Sequence, residues 1–448
     1  MTNIATKIIK IFINIRLFFF FVSWFAAICS ILWSDKQNFL IELGVYAFGF
    51  FIVLALPFLR KQNMLIIVIL LLSMFLLFPR LPNLEEIFEG GKFILIFAGL
   101  IPTMGLVKAA AKQNQNVKKT QVLLNKLPPH YSTSGLQITG HVFGAIINTG
   151  VFPILAASIP QTSNYFFRRA SAEAAIRGMS SSAIWSPFFV AFAVGQTYID
   201  STSAWLALAI GLGIALIYSI TSILVTNPNI NFNAFIKSLE CLKPILPQLS
   251  FIVILIVGSA IFFNLPAISA VILTMPILIT IFCLTEHRVT AKIISDTSNS
   301  MRNNVDDVVI ISLAMFIGYF VTKNDSSILN VLIVNLKSLP DWSILILIPF
   351  FMTIFSIFGI HPVITSTLLL TTFTSADFDI NPILIMQSHL IGWCTGTMSS
   401  IVSLSVITCS NLFSIPSHKL AFGPNIYSVL LFSLLGGSFL SLLNEFLA

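Results

Sequence analysis

Long apolar stretches alternate with short polar connections along this chain, at a spacing that matches the thickness of a bilayer. Uninterrupted apolar runs occupy residues 17–34, 39–59, 64–79, 92–111, 203–225, 248–264, 267–286, 305–323 and 423–446. Most are close to the roughly 17 to 25 residues that an α-helix needs to cross the hydrocarbon. Four further runs, at 138–160, 178–197, 343–375 and 387–411, are apolar but broken by proline, glycine or clusters of hydroxyl residues. Period-two alternation, the mark of a transmembrane barrel, is absent. Helices are then the structure that satisfies the backbone hydrogen bonds inside the membrane. The pattern predicts an all-α polytopic membrane protein with about 11 transmembrane helices plus two re-entrant hairpins, at 138–160 and 343–375.

The broken runs repeat one another. Gly150-Val151-Phe152-Pro153 returns as Gly359-Ile360-His361-Pro362, and Met179-Ser180-Ser181 with Ser186 returns as Met398-Ser399-Ser400 with Ser405. The triplets follow their glycines by 29 and 39 residues. A duplicated unit with interrupted helices points to a secondary transporter whose binding site lies between its repeats. In the first copy Asn148-Thr149-Gly150 predicts a turn at mid-membrane depth, with Gly150 supplying the permissive backbone and a short helix starting near Pro153. Helix starts present unpaired N–H groups that suit a carboxylate, while the side-chain oxygens of Asn148 and Thr149 suit Na+. A proline kink packed by its neighbours is the plain alternative for either copy alone; the matched pair favours a site.

His361 is the only histidine placed at the middle of an apolar segment between two breakers. It is open to three roles: binding substrate oxygen, carrying a proton at a pKa of about 6.5, or closing the turn by a hydrogen bond. His141 and His389 lie nearer the ends of their segments and read as structural. The two hydroxyl-rich stretches read as unwound segments lining a polar cavity, against the alternative of ordinary small-residue packing. The candidate site is therefore Asn148, Thr149, Gly150, Pro153, Ser180, Ser181, Ser186, Gly359, His361, Pro362, Ser366, Ser399, Ser400 and Ser405.

Composition agrees with the membrane reading. At 56% hydrophobic and 9% charged residues, with a mean hydropathy of +0.95, the chain has more apolar side chains than one soluble core could hide. A net charge of +7 would suggest nucleic acid as partner of a soluble protein; here the basic residues cluster at alternate membrane edges and are topogenic. With the amino terminus in the cytoplasm and two re-entrant hairpins, every Lys and Arg except Lys36, Arg80, Lys92, Lys323 and Lys337 falls on the cytoplasmic side. Treating the hairpins as full spans would move Arg168, Arg169, Arg177, Lys237, Lys243, Arg288, Lys292 and Arg302 outside. The segmentation that results is a leading helix (1–38), a first repeat (39–225), a cytoplasmic linker (226–247) and an inverted second repeat (248–448). The first repeat holds a hairpin at 138–160 and a broken helix at 178–197; the second holds them at 343–375 and 387–411. The carboxyl terminus lies outside.

Within this scheme Arg168, Arg169, Glu173 and Arg177 form a cytoplasmic-surface helix, and no arginine lies deep in a span. Asp306 and Asp307 read as a solvated helix start. Lys7, Lys10 and Arg16 ahead of the first apolar run imitate a secretory signal, but the run is long and an uncleaved helix is expected. The five cysteines show no paired spacing and read as packing residues.

In layout the chain resembles the ion-transporter superfamily, most nearly the divalent-anion:sodium symporter family, over about residues 39–446. That family carries Ser-Asn-Thr at each hairpin tip. Here Ile147-Asn148-Thr149 supplies the Asn and Thr at the first tip, and Phe358-Gly359-Ile360-His361 stands at the second. The resemblance implies an elevator, with a transport domain of about 136–225 and 343–448 sliding against a scaffold of about 1–135 and 248–342. The expected function is secondary active transport of a small carboxylate-type organic anion across a bacterial inner membrane, coupled to Na+ or H+, without enzymatic activity. No cofactor is expected beyond a coupling ion; the expected partners are the anion and membrane lipid, with a homodimer left open. The alternatives are a lipid or glycolipid flippase, which would want a cationic cavity, and a surface-polysaccharide polymerase, which would want a large outer loop with arginines and histidines. No Gly-Lys-Ser nucleotide loop occurs, so ATP is not the expected energy source.

Overall fold

The computed structural model describes residues 2–33, 37–77, 80–160, 162–226, 232–323, 331, 334, 336, 338–375 and 378–447. Lys36, Lys337, Asp377 and most of the connection 324–342, which the sequence reading places outside the membrane, fall beyond the described residues. The helices begin with α1 (Thr2–Leu32), α2 (Gln37–Ala55), α3 (Lys61–Leu77), α4 (Leu84–Gln113), α5 (Gln115–Asn125), α6 (Pro129–Ile147) and α7 (Val151–Ala156). They continue with α8 (Tyr165–Ser182), α9 (Val190–Gln196), α10 (Ser201–Thr226), α11 (Phe232–Glu240), α12 (Leu246–Phe263), α13 (Ala267–Thr285), α14 (His287–Asn303) and α15 (Val305–Lys323). The last are α16 (Asp341–Ile357), α17 (Pro362–Ser375), α18 (Pro382–Ser399), α19 (Leu404–Phe413), α20 (Ser417–Ala421) and α21 (Asn425–Leu447).

Every regular element among the described residues is helical, and ten helical stretches are long and apolar enough to cross a bilayer. The protein is an all-α polytopic membrane protein. Eight of the nine uninterrupted runs are among these ten. The exception is 64–79, whose helix α3 has only 17 residues. The other two are the stretches Tyr131–Ala156 and Pro382–Phe413, both of which contain a break.

The chain folds as two compact units, and each draws on both halves of the sequence: Met1–Gln113 with Ile268–Asn335, and Asn114–Ala267 with Leu336–Ala448. The first unit is organised on α4, which touches α1, α2, α14 and α15. Trp24 of α1 donates its indole N–H to Thr103 of α4 at 2.9 Å, which satisfies the one polar atom of a large buried side chain. Phe20 stacks on Phe51 with centroids 4.3 Å apart. Asp306, at the start of α15, is engaged: it accepts from the Arg60 backbone N–H at 3.0 Å and pairs with the Arg60 guanidinium at 3.4 Å.

The second unit contains both sets of interrupted helices. α6 packs along α8, and α16 packs along α18 and α21. Both contacts run over glycines four residues apart, Gly140 and Gly144 on α6 and Gly392 and Gly396 on α18. A Cβ on Gly144 would lie 3.0 Å from Met179 Cα, and one on Gly392 would lie 2.9 Å from Pro349 Cα. Lipid is as apolar as any side chain, so close backbone approach and the dispersion it yields drive such pairings. α12, placed with the scaffold by the sequence reading, clusters with this second unit, where Gln248 in its first turn accepts from Asn114 at 2.7 Å.

Candidate functional site

All fourteen candidate residues lie in the second unit. α6 ends at Asn148, whose backbone stands at φ +50° and ψ −133°, a region that asparagine enters more readily than most residues. Its Oδ1 accepts the Thr149 N–H at 2.7 Å. Gly150 is at φ −61° and ψ −13°, an ordinary right-handed helical conformation. The residue that turns the first tip is therefore Asn148, not Gly150 as the sequence led us to expect. Pro153 sits in the first turn of α7, where a missing N–H costs nothing.

At the second tip Gly359 does take the positive φ, +84°, and α17 begins on Pro362. His361 Nδ1 accepts the Val363 N–H at 3.2 Å, pairing one of the donors that a helix start leaves orphaned. Its ring meets Trp393 edge-on with centroids 6.3 Å apart. Of the three roles open to His361, turn closure thus has a hydrogen bond to its name. Asn148, Thr149, Gly150, Gly359 and His361 are all half-buried, so both tips remain accessible.

The serine stretches border breaks rather than forming unwound segments throughout, since Ser180, Ser181, Ser182 and Ser399 are still helical. α8 ends at Ser182 and the chain unwinds across Pro187 before α9; α18 ends at Ser399 and resumes as α19 at Leu404. Ser186 donates to the Ala145 carbonyl of α6 and accepts the Phe188 N–H at 3.2 Å. Ser399 donates back to the Thr395 carbonyl at 3.0 Å, and Ser405 is buried in the first turn of α19. Ser403, which the sequence reading left out of the site, caps α19 by accepting the Val406 N–H at 3.2 Å. One serine of each Met-Ser-Ser triplet, Ser180 and Ser400, is 1% exposed and has no hydrogen-bond partner among the described residues.

The two sets of elements interlock reciprocally. α7, the outgoing helix of the first turn, touches α19, the second half of the second broken helix. α17, the outgoing helix of the second turn, touches α9, the second half of the first broken helix. The 148–150 turn itself also lies against α19, and a Cβ on Gly359 would come within 3.8 Å of Val402 in the second break. Both tips thus reach the second broken helix.

Two histidines tie each turn-bearing helix to its broken helix. Ser181 donates to the Gly178 carbonyl at 2.8 Å, so its oxygen receives a proton from His141 Nδ1, 2.8 Å away. His141 Nε2 accepts from the Trp185 indole at 3.2 Å. His389 Nε2 faces the Ala191 carbonyl at 2.8 Å and must donate to it, which leaves Nδ1 to accept from Ser366 at 2.9 Å. Each ring is neutral, in opposite tautomers, with both nitrogens used. Ser181 and Ser366 are therefore occupied in holding the fold.

Arg177 departs most from expectation. The sequence reading put it on a surface helix; in the structure it is 4% exposed, one helical turn before Ser181. Its Nη1 donates to Asn425 at 2.5 Å and its Nε to Gln137 at 3.3 Å, both partners being buried. Glu173, one turn earlier, accepts from Arg169 at 2.9 Å. The legible signal was the four-residue spacing of Arg169, Glu173 and Arg177, which lines alternating charges on one helix face.

No protein-family model matches the chain, and no curated protein is similar to it. Among solved structures it is similar to the Alcanivorax borkumensis YdaH transporter, whose crystal structure is described as having an unusual topology. The TM-score is 0.42 at 14% identity, over 86% of this chain and 96% of that one.

Proposed function

We propose that this protein is a secondary active transporter that moves a small organic anion of the carboxylate type across a bacterial inner membrane, coupled to Na+ or H+. The observation that carries the reading is the reciprocal interlock of two interrupted helix pairs, with one unpartnered buried hydroxyl in each Met-Ser-Ser triplet, Ser180 in the last turn of α8 and Ser400 just past the end of α18. A buried hydroxyl left unpaired costs about 1–3 kcal/mol, and a bound ligand that hydrogen-bonds to it recovers that cost. Interrupted helices at a repeat interface are where secondary transporters bind solute and ion.

The roles divide by chemistry. Ser180 and Ser400 donate to the carboxylate, and Arg177, one turn from the Ser180-Ser181 pair, adds a fixed positive charge to the same helix. At the first tip, Asn148 Oδ1 spends one lone pair on the turn and keeps a second for a cation such as Na+. The second unit is the moving body in this scheme, and the sites travel with it because all fourteen residues belong to it. The protein performs no covalent chemistry on its substrate.

Counterflow uptake into liposomes holding the purified protein tests the proposal, using radiolabelled organic anions with and without Na+ and at two pH values. Accumulation of one carboxylate class that follows a Na+ or pH gradient is the expected result. An absence of exchange for every anion tried, in vesicles whose protein is folded by thermal-unfolding assay, would overturn it.

A further inference from the structure

A cavity lies in the same unit, bordered on one side by α8, the first half of the first broken helix. It encloses about 850 Å³ between α10 and α21 and contains none of the candidate transport residues. Its floor is Tyr218, whose ring packs on Phe432 with centroids 4.1 Å apart and whose hydroxyl lies 3.3 Å from Ser428. α10 and α21 run in opposite directions, so the Thr226 end of one meets the Pro424 end of the other. From there the cavity follows α10 back to Ile214 and α21 on to Phe439. Twelve residues of helix are about 18 Å long, close to one leaflet of a hydrocarbon core about 30 Å thick.

The two ends differ in chemistry. The end at Thr226 and Pro424 is reached by Glu173 and Arg177 of α8 and Thr133 of α6. With Arg169 bonded to Glu173, the Arg169–Glu173–Arg177 row carries one net positive charge. One buried donor of the lining, the Ser222 hydroxyl, has no hydrogen-bond partner among the described residues. Farther along, the walls are apolar and open outward, with Ile217 63% and Leu431 and Leu435 each 58% exposed.

We propose that this groove holds one membrane phospholipid with an anionic headgroup, taken from the leaflet at the α21 amino-terminal end. The phosphate sits at the positive end, beside Arg177, Ser222 and the start of α21, and an acyl chain lies along the apolar walls. A basic pocket between helices at a membrane edge favours such headgroups. The cavity length fits a single leaflet, whereas a water-soluble anion would leave the long apolar part unfilled. The groove holds none of the fourteen candidate residues and shares only Arg177 with the transport reading, so lipid retention is measured apart from uptake.

Native mass spectrometry of the full-length protein with equal amounts of phosphatidylglycerol and phosphatidylcholine, matched in acyl chains, tests it. The wild type is expected to retain one lipid per chain, with the anionic one favoured about tenfold, the scale of one charge-assisted hydrogen bond. Thr133→Glu places a carboxylate one turn from Gln137, the partner of Arg177, and should abolish the preference. Leu431→Trp fills the apolar part from an exposed position that the core does not use, and should remove both lipids while the unfolding temperature stays put. Free glycerol phosphate should displace nothing. Equal retention of the two lipids by the wild type, unchanged occupancy in Leu431→Trp, displacement by glycerol phosphate, or a second copy of the chain that dissociates in Leu431→Trp would each overturn the proposal.

Discussion

Replacing Ser180 or Ser400 by alanine should move stability and binding in opposite directions. Each hydroxyl is buried and unpaired in the protein alone, so its removal relieves part of a desolvation penalty of about 1–3 kcal/mol and leaves a cavity of only one oxygen atom. The unfolding temperature of each alanine variant in detergent should therefore hold or rise. If the hydroxyl donates to a carboxylate, its loss costs about 1.5–3 kcal/mol of binding, which is roughly a 10- to 100-fold weaker Kd. Ser181→Ala and Ser366→Ala are the controls. They strand a buried histidine nitrogen, His141 Nδ1 or His389 Nδ1, and should lower the unfolding temperature by an amount corresponding to about 1–3 kcal/mol. Unfolding followed by intrinsic fluorescence, beside counterflow uptake in liposomes, reads both quantities. A fall in unfolding temperature for Ser180→Ala equal to that of Ser181→Ala would show that the hydroxyl has a partner within the fold. Raised stability with unaltered uptake affinity would remove it from the site.

Further outcomes follow from the same geometry. Gly359→Ala has room, since its new Cβ finds nothing nearer than 3.8 Å, so its cost is the positive φ alone, about 1–2 kcal/mol. Uptake affinity should fall in the order Gly, Asn, Ala, Val at this position, and a wild-type value for Val would refute a role for the turn. Gly150→Ala, by contrast, should be mild, because Gly150 is helical; Asn148→Ala should be the damaging change at the first tip. Gly392→Val drives a side chain into the Pro349 backbone and should abolish the folded peak in size-exclusion chromatography, whereas Gly49→Ala, with nothing within 4 Å, should leave it intact. For topology, single cysteines at positions 87 and 378 in a cysteine-free background should react with an impermeant maleimide from outside, and those at 116 and 292 should not. Labelling at 292 would refute the re-entrant hairpins deduced from the basic residues.

The sequence by itself determined the membrane class and the neighbourhood of the two broken helices. Apolar run length is a local property, whereas a breaker ends a helix only where its surroundings permit: α8 and α18 end at Ser182 and Ser399, yet Pro102, Pro276 and Pro349 lie inside α4, α13 and α16. Which residue turns each tip was only half legible. Gly359 takes the positive φ, but at the first tip Asn148 takes it and Gly150 stays helical, because either of two permissive neighbours can bear a turn and packing chooses between them. The tertiary structure alone decided partnership. Ser180 and Ser181 are adjacent and chemically identical, yet one hydroxyl is bonded to a histidine 40 residues away and the other is left open. Arg177 is likewise a surface residue by composition and a buried one by contact, held by Gln137 and by Asn425, which is 248 positions distant. Hydrogen-bond satisfaction depends on which helix arrives alongside, and nothing within one helix's own sequence records its neighbour.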